Sequence, residues 1–176
     1  MPILQYQPLD MQHLHDVQRL WTDPAVIQYT GAPEPCTAEQ AKHKLNQLRQ
    51  PDVFAVFEQD RFIGIVGCPC INKQTLEFGL FYQFIPAVWG QGCATTAVQW
   101  LLNRMKQTYG NPILYADVIP QNKASEAILM HFGFTCHAES APVHPSGDPL
   151  IVRHYKLTAQ ANTATCAHTS EMETET

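Results

Sequence analysis

Between positions 94 and 105, Ala94, Ala97, Val98, Leu101, Leu102 and Met105 fall at i, i+3, i+4, i+7, i+8 and i+11. That spacing is one face of an α-helix, predicted over residues 94–107. A strand-like run ends at Ile85 just before it, and a loop with two glycines, Gly90 and Gly92, joins the two. The same patterns organise the rest of the chain. Residues 3–6 predict a first strand. Asp10 is a candidate N-cap for a helix with Met11, Leu14, Val17 and Leu20 or Trp21 on its apolar side. Residues 22–36 carry Pro24, Gly31, Pro33 and Pro35 and predict an irregular loop. Thr37 to Gln40 is a capping-box pattern opening a second helix, with Ala38, Ala41, Leu45 and Leu48 on one face.

Strands follow at 53–58, 62–68 and 76–85, the first two joined by a tight turn at Gln59-Asp60. Short connections predict an antiparallel meander. The strand–helix–strand unit ending in a strand at 114–119 predicts a parallel, right-handed crossover. Asn122 caps a further helix with Ala124, Ala127 and Ile128 inward, and Gly133 ends it. Strands at 134–138 and 150–157 flank a loop marked by Pro142, Pro145, Gly147 and Pro149. From 159 to 176 the sequence loses periodicity, and a disordered tail is expected there after a single domain over 1–158. The fold class is α/β (α+β), with a mixed, mostly antiparallel sheet of about six to seven strands and flanking helices.

Composition narrows the function. Of 176 residues, 45% are hydrophobic and 15% charged, as in a globular domain. No apolar run approaches the roughly 18 residues of a membrane span. The first ten residues lack the basic and apolar regions of a signal peptide. A net charge of −5 without a basic block argues against nucleic acid as the partner. The six Cys and eight His lack metal-binding spacings, so no metal is expected; a reducing, cytoplasmic setting is.

The chemistry begins at the glycine loop. The first turn of a helix leaves backbone N–H groups unpaired and carries partial positive charge, and glycines let an anion approach them. A phosphate-bearing ligand is therefore expected at Gly90 to Thr95; an ordinary glycine-rich turn is the plain alternative.

Four stretches then carry a resemblance. Phe62 to Gly67 (FIGIVG), Leu76 to Leu80 (LEFGL), Pro86 to Thr95 (PAVWGQGCAT), and Val118 to Asn122 with Ser125 and Phe132-Gly133-Phe134 occur in this order over residues 3–157. Together they resemble the GNAT superfamily of acyl-CoA N-acyltransferases, and most closely its RimJ/RimL-type branch. The resemblance implies the GNAT fold and acetyl-CoA as co-substrate, with acetyl transfer by direct attack of a primary amine. That amine is a protein N-terminal α-amine or a small-molecule amine. Backbone N–H groups from Gln91 to Thr95, with Trp89, Gly90, Gly92, Cys93 and Ala94, would hold the CoA pyrophosphate. A backbone N–H at Phe84 or Ile85 would face the thioester oxygen, and Asn122 would bind the CoA arm or cap its helix. Glu77 is the candidate general base, directly or through water. Ser125 is the candidate donor to the departing thiolate, with a water relay as its alternative. Cys93 is not expected to act as a nucleophile.

Trp21, Tyr29 and the proline-rich loop at 31–35 are expected to face the acceptor, opposite the loop at 140–149, with Asp23, Glu34 and Asp148 as candidate charges for a cationic amine. Leu129 stands where many members of the superfamily carry an acidic Tyr. That departure keeps open a non-catalytic acyl-CoA-binding or sensing module, and an interaction domain that no longer binds CoA. A homodimer is compatible with the resemblance.

Overall fold

The computed structural model describes residues 2–30, 34–142 and 150–158. The expected tail at 159–176, Gly31 and Pro33 in the first loop, and His144, Pro145, Gly147, Asp148 and Pro149 in the second lie outside them. Nine strands are described, in two sheets. One has the order β1 (Gln5–Pro8), β2 (Val53–Glu58), β3 (Arg61–Gly67), β6 (Phe81–Phe84), all antiparallel. The other has the order β4 (Cys70–Asn72), β5 (Glu77–Gly79), β7 (Ile113–Val118), β9 (Val152–Leu157), β8 (Thr135–Ser140). Only β5 and β7 pair in parallel, across the expected crossover.

Helices α1 (Leu14–Thr22), α2 (Pro24–Ile27) and α3 (Ala38–Leu48) cover the first sheet, sharing a core with Val53, Ala55 and Ile65. The predicted helical start at Asp10 is a 3-10 turn, Met11–His13, before α1. Helices α4 (Cys93–Tyr109) and α5 (Lys123–His131) lie on the opposite face, where Val98, Leu101 and Met105 of α4 are fully buried. Each such Leu or Met contributes about 1.5–3 kcal/mol of burial free energy. The Gln59-Asp60 turn has positive φ at both residues (48° and 64°), the backbone of a type I′ hairpin.

Three expectations are corrected. The loop at 22–36 contains α2, because Asp23 accepts the Ala25 N–H at 2.9 Å and Pro24 sits at the first helical position. A strand at Cys70–Asn72 adds to the count. The run at 76–85 is two strands, not one. It switches partners at Leu80, whose N–H makes a 2.7 Å bond to the Tyr115 carbonyl. Before Leu80 the chain pairs with β7; after it, with β3 alone. The two sheets therefore part there, and β6 and β7 diverge like the arms of a V.

Candidate functional site

The gap between β6 and β7 is the candidate site. Its floor is backbone. Antiparallel pairs alternate between bonded and non-bonded positions. The Ile85 N–H bonds the Ile63 carbonyl at 2.9 Å, so Gln83 and Phe81 also bond to β3, while Tyr82 and Phe84 turn their N–H groups into the gap. The Phe84 carbonyl points outward too and accepts the Trp89 indole N–H at 2.8 Å. Of the two expected N–H donors, then, Phe84 is free and Ile85 is committed to the sheet. Gly64 lets β6 lie this close: a Cβ on it would stand 2.9 Å from Phe84 Cα.

The loop after β6 narrows onto α4. Gly90 and Gly92 have φ of +73° and +80°, the left-handed region that L side chains rarely adopt. Gly92 is the N-cap of α4 and supplies no capping side chain; no acidic residue stands in the first turn. The first intrahelical bond runs from Thr96 N–H to Gly92 O, so the N–H groups of Cys93, Ala94 and Thr95 are left for a ligand. Gln91 turns the other way. Its side chain bonds the Ala87 carbonyl at 2.8 Å and its N–H bonds that of Val88 at 3.4 Å. It braces the loop from outside.

A cavity of about 600 Å³ opens on this turn. Of the predicted residues, Phe84, Trp89, Gly90 and Gly92 line it, as do Cys93, Ala94 and Thr95. Asn122 and Ser125 close it from α5, where Asn122 Oδ1 accepts the Ser125 N–H at 3.1 Å and caps the helix. Ile85, Gln91 and Glu77 are not among its lining. Cys93 is 1% exposed, and burial together with the Glu58 charge raises its thiol pKa. It stays protonated, which suits a packing role.

Glu77 stands at the start of β5, on the far side of the break at Leu80. Its carboxylate accepts from the Thr75 hydroxyl at 2.9 Å and the Tyr115 hydroxyl at 3.2 Å. It borders neither this cavity nor a second one of about 340 Å³ that continues through the V toward α3. The carboxylate in that second wall is Asp117 of β7. His154 Nδ1 lies 2.7 Å from Asp117 Oδ1, and His154 Nε2 lies 2.7 Å from the Ser140 hydroxyl.

Tyr82 lines both cavities, as does Ser125. Its hydroxyl donates to the Ser125 carbonyl at 3.3 Å, and burial pushes its pKa up to about 12. Leu129 is fully buried one turn further along α5. Sequence reading missed Tyr82, Asp117 and Lys123, which also lines the larger cavity. Alternation along β6 and β7 put Tyr82 and Asp117 on defined faces, but which faces border a gap was not visible before the strands were seen to part.

Helix α5 is held by charge. Glu126 is 5% exposed and bonds Lys123 Nζ at 2.8 Å, Arg153 Nη1, and the Tyr155 hydroxyl at 3.2 Å. Lys123 and Arg153 hold its pKa down to about 2 against the opposing effect of burial. Among the described residues no group of three or more His, Cys, Asp or Glu could hold a metal, and no helix is long and apolar enough to cross a membrane.

Comparisons with known proteins agree with this geometry. The family model for the acetyltransferase (GNAT) domain matches residues 4–135. A search of curated proteins finds no match. Among solved structures, the spermidine N-acetyltransferase of Vibrio cholerae in complex with CoA and spermine is similar at 17% identity, with a TM-score of 0.77 over 88% of this chain and 95% of that one. The RimL ribosomal L7/L12 α-N-protein acetyltransferase in complex with CoA is similar at 17% identity, with a TM-score of 0.75 over 88% and 93%. A GNAT-family acetyltransferase from Bacillus anthracis is similar at 16% identity, with a TM-score of 0.76 over 88% and 94%.

Proposed function

The chain belongs to the acetyltransferase (GNAT) family, and on that premise we propose that it moves an acetyl group from acetyl-CoA to a primary amine by direct attack, in the manner of the RimJ/RimL-type branch. The observation that carries this reading is the uncapped N-terminus of α4, opened by two left-handed glycines onto the cavity between β6 and β7. In it, the N–H groups of Cys93, Ala94 and Thr95 bind the pyrophosphate, with Gly90 and Gly92 allowing close approach and Trp89 pinning the loop. Lys123 lines the same wall with its ammonium paired to Glu126. The helix dipole supplies only about 0.3–1 kcal/mol per charge at exposed sites, so direct N–H bonds carry most of the grip. The Asn122 amide nitrogen is free to bond the CoA arm while its oxygen caps α5.

The Phe84 N–H donates to the thioester oxygen as negative charge develops there; a lost donor of this kind typically costs about 10²–10³ in rate. Proton removal from the acceptor falls to the carboxylates on the α3 side of the V. Asp117 acts directly, and Glu77 acts through water and the Tyr115 hydroxyl. The departing thiolate takes its proton from the Tyr82 hydroxyl, which regains one from solvent water by way of Ser125. The five cysteines among the described residues are free thiols, which fits a cytoplasmic setting.

Two measurements test the reading. Acetyl-CoA raises Tm, and the protein then releases CoA thiol when offered amines and N-terminal peptides. No shift in Tm at saturating ligand sinks the proposal. Tight binding without turnover of any amine favours instead a sensing module, the reading that Leu129 in place of the family Tyr supports.

A further inference from the structure

The smaller cavity carries both signs of charge. Lys44 of α3 and Asp117 of β7 both line it from different elements, and no ion pair joins them. The Lys44 ammonium lies 4.3 Å from the centroid of the Trp21 ring, and among the described residues it has no carboxylate partner. The same indole donates its N–H to Gln83 Oε1 at 2.7 Å. That bond fixes the Gln83 amide, whose nitrogen then meets no described acceptor and whose residue lines both cavities. Trp21 thus aligns a cation and an amide donor at one edge of the cavity. Burial lowers the Lys44 pKa, so its charge is best kept where an anion arrives to meet it. The β7 side suits an ammonium: Asp117 uses Oδ1 toward His154, and its second oxygen makes no described bond.

We propose that this cavity takes an acceptor bearing a carboxylate close to its amine, the carboxylate on Lys44 and Gln83 and the ammonium on Asp117. The inference rests on the acetyl-transfer reading and names its substrate class. Two sources share this chemistry: a free α-amino acid, and a peptide N-terminus followed by an acidic residue. A polyamine, with cations only, would set an ammonium against Lys44.

The full chain, with its Tm response to acetyl-CoA measured first, is assayed for release of CoA thiol with matched acceptors. These are an α-amino acid and the amine left by removing its carboxylate, peptides beginning Ser-Asp and Ser-Lys, and spermidine. The carboxylate-bearing member of at least one pair is favoured in kcat/KM by about tenfold or more, and spermidine is among the poorest. The pair that responds identifies the source. Lys44→Met, which keeps an apolar stem over Trp21, erases the preference by raising KM with little change in kcat; Lys44→Arg retains it. Equal rates within both pairs, or a preference that survives Lys44→Met, overturns the inference and leaves acetyl transfer standing. Failure to turn over any acceptor overturns both.

Discussion

Phe84 and Ile85 are adjacent, apolar and both strand-like in sequence, yet only the Phe84 N–H is open to a substrate, because the Ile85 N–H is spent on Ile63. A similar distinction separates the two carboxylates. Glu77 is already bonded by two hydroxyls and lies outside both cavities, whereas Asp117 forms part of a cavity wall. Asp117→Asn is expected to lower kcat/KM by about 10² near neutral pH and by less at alkaline pH, where the amine sheds its proton unaided. Glu77→Gln is expected to give a smaller loss of the same pH shape; a loss equal at every pH would show it to be purely structural. Tyr82→Phe should lower kcat by about 10² with acetyl-CoA affinity little changed. With the Tyr82 pKa near 12, the wild-type profile shows no break from this group below that pH. An unaltered kcat in the variant would remove Tyr82 from the reaction.

At the scale of elements, the glycine loop and α4 act as one unit. No protein atom requires glycine at 90 and 92, since a Cβ at either would meet nothing within 4 Å; their positive φ does. Gly92→Asp is therefore expected to do two things. It strains the turn by about 1–2 kcal/mol, and it places a carboxylate where the phosphates need N–H groups. Loss of acetyl-CoA binding by calorimetry, in a protein that still melts cooperatively, is the expected result. Unchanged affinity would reject the phosphate assignment. The α4 helix itself was legible from residue spacing alone, because burial of one face every 3.6 residues is a local property. So were the Thr37 capping box and the Asn122 cap, both of which form as read. The break at Leu80 was not legible: nothing in the run from 76 to 85 signals where a strand exchanges one partner for another.

Across the whole molecule, one ion cluster ties α5 to the far edge of the second sheet. Glu126 joins Lys123 on its own helix to Arg153 on β9, which also reaches Glu139 on β8. This cluster holds Ser125 and Asn122 against the V. Because the folded pKa of Glu126 lies near 2, below its ordinary value of 4.5, its stabilisation is complete above that value and is lost as pH falls toward 2. Glu126→Gln is accordingly expected to lower Tm at pH 7, with the gap from wild type closing between about pH 4.5 and 2. A gap independent of pH would assign the loss to packing.

The sequence by itself determined most of the elements, the glycine turn that opens α4, and the family. Each rests on short-range rules: hydrophobic period, capping chemistry, and the φ that only glycine adopts readily. The tertiary structure alone decided which groups line the two cavities. Tyr82, Gln83, Lys44 and Asp117 come from three elements as far apart in the chain as residues 44 and 117, and they meet only because the strand changes partner at Leu80 and the sheets part. Strand pairing is a long-range choice, and it settles the register by which a side chain or an N–H group looks into the gap or away from it.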